Sequence, residues 1–175
     1  MRKYQQNGAW SRRGGNGMEL LFKGIVIGIG ATVLMDLWAI LLWKGFGQSR
    51  PNWAPVGRWF GHLPKGTVFH DNIARSAEIP NENAIGWIGH YAVGILYGVI
   101  LAFLMGPGWF ADPTFLPAWI WAILTVAAGW FLLQPGLGLG WAAAKTPSPN
   151  KVRLFNLLAH TVFGFGLFGT ALLIA

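Results

Sequence analysis

Four stretches of this chain, at about residues 20 to 44, 84 to 105, 115 to 141 and 152 to 175, are almost unbroken runs of apolar residues. Each reaches the roughly 20 residues that a helix needs to cross a ~30 Å hydrocarbon layer. Inside lipid, every backbone N–H and C=O must find its partner within the protein, and a helix achieves this without help from neighbouring segments. The pattern therefore predicts an all-α fold, a four-transmembrane-helix bundle, with a long structured loop at about 46 to 83 between the first two spans. Composition points the same way, with 54% hydrophobic and only 11% charged residues. The absence of cysteine excludes disulfides, thiolate metal sites and thiol redox chemistry.

The net charge of +7 invites a nucleic-acid reading, but the 13 Lys and Arg lie in the N-terminal stretch, in two loops or near the ends of the apolar runs. No basic face beyond the N-terminal stretch supports that reading, so nucleic acid is not an expected partner. Residues 1–17, "MRKYQQNGAWSRRGGNG", are expected to form a disordered basic tail, and Met18 would make a natural start for a single membrane domain over 18–175. Arg50, Arg58, Lys65 and Arg75 fall in the first loop, and Lys145, Lys151 and Arg153 in the third, whereas the short second loop has neither Lys nor Arg. The positive-inside rule then places loops one and three in the cytoplasm and both termini outside, in an inner membrane. Arg2, Lys3, Arg12 and Arg13 argue for the opposite orientation.

Polar residues inside the spans are few and patterned. Asp36 stands alone in "GIGATVLMDLW", and stepping back from it by fours gives Thr32, Gly28 and Gly24, one face of small residues. The second span repeats the arrangement with Gly86, His90, Gly94 and Gly98, and the fourth with Asn156, His160 and Gly164. Small faces are where membrane helices approach each other closely, so these polar side chains are expected to point into the bundle. At ~1.5 Å per residue from the ends next to loops one and three, Asp36 lies ~13 Å deep, His90 ~9 Å, Gln134 ~10 Å and His160 ~12 Å. They are expected in one layer. Gln134 precedes Pro135, whose ring removes the hydrogen bond that the carbonyl of Phe131 would otherwise accept. His-x-x-x-Gly recurs at His90 and His160, an echo that a duplicated two-helix hairpin would produce.

Several chemistries fit such a layer. An aspartate and two histidines match a common ligand set for a divalent metal ion, here Asp36, His90 and His160 with His70 from the first loop, although no metal-motif spacing is present. Alternatively, a carboxylate and imidazoles in a low-dielectric site carry protons or hold a small ligand, with Gln134, Thr32 and Asn156 in support. Haem or a quinone between His90 and His160 is a third reading. The structural alternative is a polar layer that only hydrogen-bonds helices together, in an accessory or assembly subunit of a larger membrane complex. Expected partners are the lipid bilayer and either further copies of the chain or such a complex. The first loop mixes Trp53, Trp59, Phe60 and Phe69 with Arg58, His62, His70 and Asp71, and reads either as a lid over the polar layer or as an interfacial anchor. Neither a dinucleotide fold nor a Gly-x-Ser-x-Gly elbow occurs, so the reading leans away from an enzyme.

The blocks "GIGATVLMDLWAILL", "NWAPVGRWFGHLPKGTVFHD", "IGWIGHYAVG", "LLQPGLGLGWAAAKTP" and "LLAHTVFGFGL" follow one another in an order that resembles the bacterial membrane family called domain of unknown function 2938. The resemblance runs from about residue 20 to the end. It implies a multi-pass inner-membrane protein and no particular activity.

Overall fold

The computed structural model describes the backbone from Ala9 and the side chains from Gly17 through Ala175. The basic tail expected over residues 1–17 lies, apart from Gly17, outside the residues described in full. The chain is all-α. Its long helices are α1 (Ala9–Phe46), α3 (Glu82–Ala111), α4 (Phe115–Ala128) and α6 (Pro149–Leu173), with α2 (Ala54–His62) in the first loop and the single turn α5 (Gln134–Gly136) after α4. Among the described residues, four segments are long and apolar enough to cross a membrane: Gly17–Phe46, Glu82–Ala111, Phe115–Gly136 and Pro149–Leu173.

Two of these spans break where the sequence carries Gly and Pro together. In α3 the break is at Gly106, whose φ of 70° and ψ of −178° no helix contains and which glycine adopts freely, and Pro107 then opens a last turn. That turn seats Trp109 at 6% exposure, with its Nε1–H donating to the carbonyl of Thr114 at 3.2 Å. Trp109 is thus a core residue at the hairpin and not the membrane-belt residue its position near a span end suggests. Between α4 and α5, residues Gly129–Leu133 form a π-helical turn, in which the N–H of Gln134 reaches back five residues to Gly129. Pro135 offers no N–H and its ring crowds the carbonyl four residues earlier, and a wider turn accommodates both defects.

The helices pack in the order α3, α1, α6, α4. Glycines let them come close. A Cβ on Gly24 would stand 2.6 Å from the Cα of Val99, and one on Gly28 only 2.7 Å from the Cα of Ile95, so α1 and α3 meet backbone to backbone. Gly164 does the same for α6 against α4, where a Cβ would lie 3.0 Å from the Cα of Trp119. The glycine four residues after each histidine therefore carries a helix contact: Gly94 faces Thr32 on α1, and Gly164 faces α4. By contrast, α3 and α4 touch little. A hydrogen bond from Trp121 Nε1 to the carbonyl of Tyr97, 2.9 Å, bridges them. The opening left between them positions the site.

The first loop is a folded cap. Val56, Trp59 and Phe60 project from α2 into a small core with Leu63, Val68, Ile73 and Leu137, and Trp59 Nε1 donates to the carbonyl of Val68 at 2.7 Å. Two backbone bonds, His70 N–H to Gly136 O and Ile73 N–H to Leu137 O, both 3.1 Å, tie the cap to the turn after α4. Loops one and three therefore share one end of the bundle.

Candidate functional site

Asp36 and His90 meet. The Nε2–H of His90 donates to Asp36 Oδ1 at 3.0 Å, and the hydroxyl of Tyr91 donates to Oδ2 at 2.9 Å, so both carboxylate oxygens are engaged. The side chains are 15% and 10% exposed, turned inward as their small-residue faces require. Trp53, entering from the cap, stacks on the His90 ring with centroids 3.9 Å apart and planes 23° from parallel. This fixes the imidazole in position. The pair separates two spaces of different character. Asp36 lines a cleft of about 640 Å³ at the loop-one end, together with Arg50, Asn52, Asn83, Trp43 and Trp87. His90 lines an apolar pocket of about 330 Å³ between α3 and α4, roofed by Trp53, Val56, Trp59 and Phe60.

His160 stands in the wall of that pocket and does not join Asp36. Its Nδ1 lies 2.9 Å from the carbonyl of Ala122 and 3.0 Å from Thr125 Oγ1, while the Thr125 hydroxyl donates to the same carbonyl at 2.7 Å. Gln134 and Asn156 form a third group: Gln134 Nε2 and Trp130 Nε1 both donate to Asn156 Oδ1, at 2.8 and 3.0 Å. Thr32 turns its hydroxyl back to the carbonyl of Gly28 at 2.8 Å and borders the apolar pocket. The expected single layer is thus divided into an Asp36–His90–Tyr91 set, a His160–Thr125 set and a Gln134–Asn156–Trp130 set. Among the described residues, no group of three or more His, Cys, Asp or Glu side chains is placed to hold one metal ion.

The cap contributes two polar clamps. Arg58, 8% exposed, forks onto Glu82 through Nε and Nη2, each at 2.8 Å, and reaches Glu78 Oε1 at 3.2 Å and the carbonyls of Ile73 and Ser76 at 3.2 and 3.1 Å. The bonded Glu82 carboxylate holds the Arg58 pKa above its ordinary value, so the guanidinium stays charged. Arg58 therefore braces the cap against the start of α3. His70 accepts at Nε2 from His62 Nδ1 at 2.9 Å and donates from Nδ1 to the carbonyl of Gly136 at 2.8 Å, an order that follows because a carbonyl only accepts. Asp71 is exposed, and its backbone rather than its carboxylate enters the clamp, against Gly138 with φ of 85°. His70 is consequently an element of the cap and not a partner of Asp36.

The chain belongs to the DUF2938 family. The model of that family, described as a protein of unknown function, matches residues 25–174, which covers most of the first span, the cap and the other three spans. Neither a curated protein nor a solved structure matches the chain.

In this DUF2938 chain the residues that sequence reasoning passed over are Tyr91, Thr125 and Glu82. Thr125 had a signal, a lone hydroxyl within the apolar run "AILTVAA". Tyr91 had none, since it sits ~100° around the helix from His90 and reaches Asp36 only through the close α1–α3 crossing.

Proposed function

We propose that the chain holds a small lipid-soluble molecule in the pocket between α3 and α4, and that Asp36 and His90 relay a proton between that molecule and the cleft. The observation that carries this reading is the double position of one bonded pair: His90 borders the apolar pocket, and Asp36, 3.0 Å from its Nε2, borders the polar cleft. An intramembrane carboxylate is costly wherever it is kept, and a proton path is a common reason for keeping one. Imidazole is suited to the middle position because it can take a proton at one nitrogen while giving one from the other. The pocket is mostly apolar with a few convergent polar groups, as ligand sites generally are.

Full-length chain in lipid nanodiscs provides the test, with 4-butylphenol as the probe and the indole N–H signals of Trp53 and Trp59 as reporters. The reading expects a saturable shift in both signals, and an infrared change in the Asp36 carboxyl band that Asp36→Asn abolishes. Absence of any saturable shift at the two indoles counts against the pocket, and an unchanged carboxyl band counts against the relay.

An architectural role in a larger complex is favoured by a different observation. The Gln134–Asn156–Trp130 cluster ties the turn after α4 to α6 without bordering either space. Stable co-purification with a larger membrane complex, without the indole shifts, would support that reading.

A further inference from the structure

The hydrogen bonds around the pocket specify which end of a ligand's polarity it accepts. Ala122 O can only accept, so the nitrogen 2.9 Å from it, His160 Nδ1, carries the proton. Thr125 cannot be the donor to that nitrogen, because its own hydroxyl proton is already directed to Ala122 O at 2.7 Å. The neutral ring then has its lone pair at Nε2, which makes no hydrogen bond and is not completely enclosed. At His90 the Nε2–H is committed to the Asp36 carboxylate at 3.0 Å, so whenever that ring carries a single proton its lone pair is at Nδ1. One donor in the wall, the Trp53 Nε1–H, has no partner but is completely enclosed, and the other fixed donors are already spent. Thr32 gives its proton to Gly28 O, Thr125 to Ala122 O, and the Trp59 indole to Val68 O. Tyr97, also in the wall, has a rotatable hydroxyl that donates or accepts equally well and therefore does not select.

We infer that the ligand of this pocket is a hydrogen-bond donor, an apolar ring-sized molecule bearing a hydroxyl, with His160 Nε2 as an acceptor that recognises it. The inference rests on the pocket reading above and names its ligand class. Size agrees, since about 330 Å³ is roughly twice the ~150 Å³ cavity that encloses benzene, enough for one ring and a short chain. Phenols and quinols meet the requirement. A quinone, which offers only carbonyl oxygens, would set its lone pairs against those of the imidazoles, and a methyl ether would do the same. Leaving a buried acceptor unpaired is the source of discrimination, and it is roughly tenfold in affinity for one neutral hydrogen bond.

The test compares 4-butylphenol with 4-butylanisole, its methyl ether, on full-length chain in nanodiscs, again read at the Trp53 and Trp59 indoles. Binding of the phenol roughly tenfold tighter than the ether, with the preference lost in His160→Phe, is the expected result. Equal binding of both probes overturns the donor assignment and leaves the pocket standing, whereas binding of neither overturns both. A preference that survives in His160→Phe overturns the role of His160. Independently of any variant, 15N spectra of histidine-labelled wild-type chain are expected to show His160 protonated at Nδ1 and bare at Nε2. A proton at Nε2 overturns the inference.

Discussion

Asp36 is held by two donors, and losing the carboxylate is a different event from losing one donor. Tyr91→Phe removes a single membrane hydrogen bond and is expected to cost about 0.6 kcal/mol. Asp36→Ala leaves the His90 Nε2–H and the Tyr91 hydroxyl both unpaired, and is expected to cost about 2–3 kcal/mol. Reversible unfolding in mixed micelles reads both values, and equal costs would mean that the carboxylate is not the common acceptor. Arg58 shows the same asymmetry at the cap. Arg58→Met leaves Glu82 without its fork and is expected to destabilise the cap by about 3 kcal/mol, whereas Arg58→Lys keeps a charge but only one of the two parallel bonds. Limited proteolysis within residues 63–81 is the direct measurement, with Met cleaved fastest, Lys intermediate and wild type slowest. The inward direction of Asp36, His90 and His160 was legible from their glycine neighbours. Which of them touch was not, because a partner is chosen by rotations and crossings of a few ångströms that no spacing encodes.

Among the elements, the glycines divide into those that carry a contact and those that leave room. A Cβ at Gly28 would press within 2.7 Å of the α3 backbone, which has no side chain to move aside. Gly28→Ala is expected to separate α1 from α3 and lose 1–3 kcal/mol or more. Gly129 is the opposite case. Nothing lies within 4 Å of its Cβ position, and it stands in the pocket wall. Gly129→Leu is expected to leave thermal stability nearly unchanged while weakening 4-butylphenol binding at least tenfold, measured by the indole shifts. Preserved binding in that variant would place the ligand elsewhere. The irregular end of the third span was legible from "QPGLGLG", but its resolution into a π-helical turn was not. Pro135 announces a missing hydrogen bond without stating how the backbone will absorb it.

For the molecule as a whole, the order of packing matters more than any pair. Because α3 and α4 are neighbours in sequence yet part from each other, the pocket lies between the two hairpins that the His-x-x-x-Gly echo marks out. Its wall includes residues from α1, α2, α3, α4 and α6, so the cap and all four spans must assemble before it exists. The cysteine-free chain makes topology simple to test by single-cysteine labelling. Lys65→Cys and Ser148→Cys are expected to react from the same side, which the positive-inside rule makes the cytoplasm, and Asp112→Cys from the other. Labelling of Lys65→Cys and Ser148→Cys from opposite sides would contradict the bonds between the cap and the turn after α4.

Membrane residence, four spans, a folded first loop and inward-facing polar groups all follow from local composition, because lipid imposes length, apolarity and backbone self-satisfaction on each segment separately. The division of one expected polar layer into three bonded sets, the gap between α3 and α4, and the position of Asp36 and His90 between a polar cleft and an apolar pocket do not. Those depend on how closely glycine-lined helices approach and in what order they surround one another, and such distances exist only once every helix has a neighbour.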